Sequence, residues 1–259
     1  MDGSASAKRK YGFNPYPRLS ANQLAESRGA SATRRKSIIR DAKFPRPVVV
    51  AQYRDARNGI SRYLTNLTTA PDVLAETMIR LQQRETAPDA SDWVRQDCTQ
   101  SREAIDTFLR SFNALGLGRF EFRPMAANPP ALQIAGVSVG VSLDATVHGT
   151  RRGLEGRFGG LILSFSRSSA SKGEATAPIK TAAEKAANAA VLAHALCQRF
   201  PASSGQADPR LSLAIDVFAQ ALTPAPAAHR SRFKNIELAC EEIAQRWDRV
   251  DAPDDYDGP

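Results

Sequence analysis

The chain has 259 residues, of which 42% are hydrophobic, enough apolar material for one large domain or two small ones. No uninterrupted apolar run approaches ~18 residues, which argues against a transmembrane helix. The three cysteines and three histidines are scattered, which argues against a disulfide framework and against zinc or haem ligand spacing.

The excess of positive over negative charge lies at one end of the chain. Residues 1–60 hold thirteen Lys and Arg against four Asp and Glu, whereas the remaining residues hold twenty-two against twenty-three. Segregated positive charge creates a local field that attracts a polyanion. The pattern therefore predicts that the chain contacts DNA or RNA, with an acidic protein or an anionic membrane surface as the alternatives.

The beginning of the chain bears on its location. The first ten residues are polar and basic, and they lack the apolar stretch of a secretory signal. Widely spaced, odd-numbered cysteines are typical of a reducing compartment. We expect a cytoplasmic protein with no membrane partner, and other protein subunits are a further candidate class of partner.

Two short helices are predicted after an extended arm over residues 1–19. Ser20 is a candidate N-cap for a helix over Ala21–Arg28, and Ser31 for a helix over Ala32–Lys43, which prolines follow. Two helices joined by a Gly-containing turn are compatible with a helix-turn-helix-like unit.

Basic residues of the arm and the second helix are the candidate phosphate contacts. Two more arginines lie in a Gly-rich connection later in the chain. The predicted nucleic-acid-binding residues are Lys8, Arg9, Lys10, Arg34, Arg35, Lys36, Arg40, Lys43, Arg151 and Arg152.

Three longer helices follow, and then the periodicity changes to that of strands. The helices are predicted over Val48–Leu64, Asp72–Arg84 and Asp92–Leu115. The strands are predicted over Arg119–Arg123, Leu132–Ile134, Val137–His148 and Phe158–Arg167. Apolar and polar residues alternate almost perfectly through Val137–His148, which favours one continuous strand.

The C-terminal part is predicted as a helix over Pro178–Arg199, a strand over Leu211–Leu222 and a helix over Phe233–Val250. The fold class is thus α+β (or α/β), with a helix–mixed sheet–helix core of about four to five strands. We predict a basic helical nucleic-acid-binding region over 1–90, an α/β domain over 91–250 and an acidic, disordered tail over 251–259.

The order helix, strands, helix, strand, with Asp144 in the second main strand, resembles the core of the PD-(D/E)XK nuclease-like superfamily over roughly residues 95–222. The resemblance implies carboxylates that hold Mg²⁺ and a lysine that assists the attacking water. It places Asp144 as the first carboxylate and metal ligand, and Glu103 as the helix carboxylate.

The third element of the superfamily pattern departs from expectation in this sequence. Phe165 stands where the second acid is expected, and Arg167 stands where the lysine is expected. Arginine substitutes poorly for a lysine that must approach neutrality. The remaining candidate catalytic residues are Glu184, on the next helix, and Lys172.

The sequence is best interpreted as a nucleic-acid-binding protein with a catalytically degenerate nuclease-like domain. The resemblance suggests a subunit of a bacterial antiviral defence system or mobile element, with no cofactor. One alternative is an active nuclease that uses Mg²⁺ at Asp144, and another is an adaptor that binds an acidic protein.

Overall fold

The computed structural model describes residues 11–46, 52–66, 70–125, 129–166, 176–256 and 258. Within these ranges no helix is both long enough and apolar enough to cross a membrane. The helices are α1 (Ala21–Gly29), α2 (Ala32–Lys43), α3 (Arg54–Thr65), α4 (Ala70–Thr86), α5 (Asp92–Ser111), α6 (Thr176–Cys197) and α7 (His229–Arg246).

The first two helices begin where their capping residues predict. The Ser20 side chain accepts a hydrogen bond from the backbone amide of Gln23, whose side chain reaches back to the Ser20 amide in a capping box. The Ser31 side chain accepts a hydrogen bond from the backbone amide of Arg34. These caps satisfy amides that a helix start leaves without partners.

The strands of the described residues form two sheets. They are β1 (Arg18–Ser20), β2 (Phe120–Arg123), β3 (Leu132–Ile134), β4 (Val137–Gly140), β5 (Ala145–Gly149), β6 (Arg157–Ser164), β7 (Gln206–Ala207), β8 (Leu213–Asp216) and β9 (Ala221–Pro224). The larger sheet has the order β2-β5-β6-β8-β9, with β7 beside β6, and the smaller has the order β1-β4-β3. Strands β6 and β8 run parallel, whereas β2, β5 and β9 are antiparallel to their neighbours. The fold is therefore α+β with a mixed central sheet, as the sequence predicts.

Helices cover both faces of the larger sheet. In β6, Ile162 packs into an apolar cluster with α1, α2, α6 and α7. The adjacent Leu161 and Leu163 point the other way, into a cluster with α3, α4 and α5. Alternation along β6 thus places residues in both cores.

Packing crosses the predicted border at residue 90. Strand β1 pairs in parallel with β4, with Leu19 opposite Val139. Both apolar clusters contain residues from each side of that border. The basic helices α1 and α2 are therefore built onto the same core as the sheet.

The predicted strand Val137–His148 is wrong in its continuity. It divides into β4 and β5, which belong to different sheets, and residues 141–144 link them. The alternation of buried residues runs through the break, because Val141 and Leu143 are buried in one cluster and Ala145 in the other. A pattern of period two reports burial but not the identity of the neighbouring strand.

The predicted strand Leu211–Leu222 is instead the hairpin of β8 and β9. The chain reverses at residues 217–220, where the Asp216 carboxylate accepts a hydrogen bond from the amide of Ala219 at 3.0 Å. Gln220 takes a left-handed φ of 50°. Pro224 closes β9 at the edge of the sheet, where a missing amide costs no ladder hydrogen bond.

Candidate nucleic-acid interface

A groove of about 820 Å³ lies between α1, α2 and the end of α7. Its cationic lining combines residues far apart in sequence, and its anionic lining comes from α7 and the C-terminal segment. The cations are Arg28, Arg35, Lys36, Arg40, Arg246 and Arg249, and the carboxylates are Glu242, Asp251 and Asp254.

The burial of α2 explains how its cations reach the groove. Ile38, Ile39 and Ala42 are buried in the cluster beneath the helix. Arg35, Lys36 and Arg40 are exposed on its outer side and line the groove. An apolar stripe that is buried leaves the remaining positions in water, so one amphipathic helix supplies three neighbouring cations.

None of the six groove cations forms an ion pair with any residue in the described ranges. Among the described residues no ion pair neutralises these charges, and the groove lining holds six cations against three carboxylates. An excess of positive charge in a concave surface attracts a polyanion, and binding gains free energy from the release of the polyanion's counterions.

Two of the predicted contacts on α2 have structural partners. Arg34 forms an ion pair with Glu26 of α1, with 2.7 Å between nitrogen and oxygen. Lys43 is buried, with 7% of its surface exposed, contrary to its predicted role as a phosphate contact. Its Nζ donates to the carbonyls of Trp247 at 2.8 Å and Val250 at 3.3 Å, so it ties α2 to the end of α7.

Arg246 and Arg249 line the groove but were not among the residues predicted from the sequence. They flank Trp247, which is 1% exposed and anchors the end of α7 in the core. Residues on either side of such an anchor point outward, which is the local signal for their exposure. Their position beside α2 depends on packing between residues about two hundred positions apart.

The other predicted contacts lie elsewhere. Arg151 and Arg152 are exposed in the connection between β5 and β6 and do not line the groove. Lys8, Arg9 and Lys10 fall outside the described residues.

Asp144, the predicted first carboxylate, stands immediately before β5 and is engaged by the protein. Its oxygens accept hydrogen bonds from Arg57 Nη1 at 3.0 and 2.9 Å, and one also accepts from the Leu163 amide at 2.7 Å. Its side chain is only 6% exposed. Burial raises the pKa of Asp144, while Arg57 and the Leu163 amide oppose that rise.

Asp216 is another buried carboxylate near the end of a strand, and it was not predicted as a site residue. It ends β8, and in the parallel register it stands opposite Ser164 of β6. Burial raises the pKa of Asp216, and the amide of Ala219 opposes the rise. The alternation of apolar residues predicts a strand that continues to Leu222, so it gives no sign that Asp216 stands at a strand end.

The two other predicted catalytic carboxylates, Glu103 and Glu184, lie on different sides of the larger sheet, on α5 and α6 respectively. Lys172 and Arg167 fall outside the described residues. In the part of the chain that is described, no three acidic, histidine or cysteine side chains group closely enough to hold a metal ion.

These residues do not fit the Mg²⁺ site that the superfamily resemblance implies. Mg²⁺ needs carboxylate oxygens that are free to coordinate, at about 2 Å in octahedral geometry. The Asp144 oxygens instead accept from a guanidinium and an amide. Asp144 therefore acts in this structure as a structural ion-pair partner.

Comparison with known proteins adds no relative. No protein-family model matches the chain, and neither a curated protein nor a solved structure matches it significantly.

Proposed function

We propose that this protein binds nucleic acid through the groove between α1, α2 and the end of α7. The observation that supports this is the convergence of six cations, from three separate helical segments, without an ion-pair partner in the described ranges. Guanidinium groups predominate, and their planar donors suit phosphate oxygens. The partner class is DNA or RNA, recognised through its phosphates.

Counterion release makes this proposal measurable. Each phosphate that a cation neutralises steepens the dependence of log K on log salt by about 0.9 for a duplex and about 0.7 for a single strand. Engagement of several groove cations would therefore lower affinity by orders of magnitude between about 50 and 200 mM salt.

The test compares two triple variants by fluorescence anisotropy with labelled single-stranded and duplex oligonucleotides. The first, Arg35→Ala/Lys36→Ala/Arg40→Ala, removes the groove cations of α2. The matched control, Arg62→Ala/Arg110→Ala/Arg199→Ala, removes the same charge from exposed positions outside the groove.

We expect the groove variant to weaken binding at least tenfold at low salt and to flatten the salt slope by about two to three. The control should change affinity far less. Equal weakening by the two variants would show that only net charge matters, and the groove assignment would then be rejected.

We further propose that the sheet domain is a nuclease-like module without catalytic activity. Support comes from the order of the elements that form the larger sheet and its helices, which is α5, β2, β5, β6, α6, β7 and β8, with β3 and β4 inserted after β2. The ion pair between Arg57 and Asp144 supports the absence of activity. In this proposal the domain positions the basic helices and forms no metal site.

Two measurements test the loss of activity. Mg²⁺ or Mn²⁺ should leave the melting temperature unchanged, because a ligand that binds only the folded state would raise it. The wild-type chain should not cleave oligonucleotides with either ion. Metal-dependent cleavage that disappears in Asp144→Ala while binding persists would establish the active-nuclease alternative instead.

A further inference from the structure

The acidic segment 251–256 is held against the N-terminal arm and α2, although its composition predicts disorder. Tyr11 donates its hydroxyl to Asp255 Oδ1 at 2.8 Å. The Tyr256 ring packs on Phe44 at 4.8 Å and on Tyr11 at 6.3 Å between centroids. Residues 251–256 of the tail that the sequence predicts to be disordered are therefore packed against the fold through these contacts.

The start of the segment is fixed as well. Lys43 donates to the carbonyl of Val250 at 3.3 Å, directly before Asp251. The chain is thus anchored at both ends of the stretch 251–254. Held in this way, Asp251 and Asp254 line the same groove as Arg35, Lys36 and Arg40.

The two carboxylates are exposed and form no ion pair with the groove cations or any other described residue. Their charge therefore acts on the groove as a field rather than through fixed contacts. A phosphate chain entering the groove would meet both the cations and this negative charge.

We propose that the C-terminal segment is an autoinhibitory element that weakens nucleic-acid binding at the groove through its negative charge. Asp251 and Asp254 lower the affinity of the groove for phosphates. The inference rests on the proposed function, since it describes the regulation of that same site.

The expected size follows from Coulomb's law. In water, a carboxylate roughly 8 Å from a bound phosphate weakens binding by a factor of about two. Neutralising both carboxylates should tighten binding about fivefold at low salt. The gain should shrink as the Debye length shortens to about 8 Å at physiological salt.

The experiment measures oligonucleotide affinity of the full chain carrying Asp251→Asn/Asp254→Asn. The matched control, Asp89→Asn/Asp106→Asn, removes two exposed carboxylates outside the groove and changes the net charge equally. Circular dichroism melting verifies that each variant is folded. We expect about fivefold tighter binding for the groove pair and less than twofold for the control.

The outcomes separate this inference from the proposed function. If the α2 triple variant weakens binding but Asp251→Asn/Asp254→Asn and Asp89→Asn/Asp106→Asn have equal effects, autoinhibition is rejected and the nucleic-acid interface is retained. If the α2 variant binds like its own control, the interface itself is rejected. Unchanged or weaker binding by Asp251→Asn/Asp254→Asn would also contradict autoinhibition.

Discussion

Arg57 Nη1 donates to both carboxylate oxygens of Asp144, at 3.0 and 2.9 Å, while Arg57 Nη2 donates to the Leu163 carbonyl at 2.8 Å. One guanidinium thus joins α3 to the start of β5 and the end of β6. The Asp144 side chain is almost fully buried, so its negative charge depends on this partner.

Arg57→Ala should destabilise the fold by about 3–5 kcal/mol at neutral pH, because it leaves a buried carboxylate without its countercharge. Without Arg57, the already raised pKa of Asp144 should rise further. When the pKa of a carboxyl is higher in the folded state than in the unfolded state, the fold loses stability as the pH rises from the unfolded-state pKa through the folded-state pKa. Urea unfolding should therefore show a smaller loss near about pH 5 than near about pH 8.

A double-variant cycle provides the control. In an Asp144→Asn background no buried charge remains, so Arg57→Ala should cost much less and the extra pH dependence should vanish. An equal cost in both backgrounds would mean that Arg57 stabilises the fold through packing alone.

Lys43 should matter for stability rather than for binding. Lys43→Ala removes the donor to the carbonyls of Trp247 and Val250, and we expect a loss of about 2–3 kcal/mol. Lys36→Ala removes the same charge from an exposed position of the same helix and should hardly affect stability. Its oligonucleotide affinity, measured well below the melting temperature, should fall more than that of Lys43→Ala. The reverse ranking would restore Lys43 as a phosphate contact.

The burial of Lys43 shows that a basic stretch of sequence does not identify which of its residues are exposed. Lys43 lies four residues after the buried Ile39, on the same face of α2. The helical spacing therefore contained the correct answer, but the surrounding basic residues favoured a surface assignment. The helix caps were predicted correctly because Ser20 and Ser31 act on amides only three residues away.

Features set by distant residues were not predictable in this way. The groove requires Arg246 and Arg249 beside Arg35, and nothing local to either segment encodes that contact. The break at residues 141–144 was not predictable, because buried residues alternate with more exposed ones without interruption from β4 through the break into β5. The partner of Asp144 is likewise a residue of α3, eighty-seven positions earlier.

His194 should make the fold sensitive to acid. It is 4% exposed, with Ser212 Oγ 3.4 Å from its Nδ1 and Gln198 Nε2 3.1 Å from its Nε2. Burial, aided by the nearby His229, lowers the pKa of His194 to about 4. A base with a depressed folded pKa contributes stability above its unfolded pKa of about 6.5 and loses it as pH falls.

As the pH falls from about 6.5 to about 4, protonation linked to His194 should therefore lower the unfolding free energy by on the order of 3 kcal/mol. His194→Gln should show a shallower fall in unfolding free energy across that window. Asp144 and Asp216 act in the opposite direction, because their pKa values are raised, so the difference between variant and wild type is the informative quantity. An identical pH slope in the two proteins would exclude His194 as the source.

Gly159 of β6 should tolerate no side chain, because a Cβ built there would lie 2.2 Å from the carbonyl carbon of Leu211 and 2.5 Å from the amide nitrogen of Ser212. Backbone atoms cannot rotate away as a flexible side chain can, so the strand or the turn at 209–211 must shift. Gly159→Ala should cost about 2 kcal/mol or more in unfolding free energy. Gly118→Ala is the matched control, since no described atom lies within 4 Å of its added Cβ and its φ is not left-handed. The control should be close to neutral, and a similarly small effect of Gly159→Ala would show that β6 and the turn do not approach this closely.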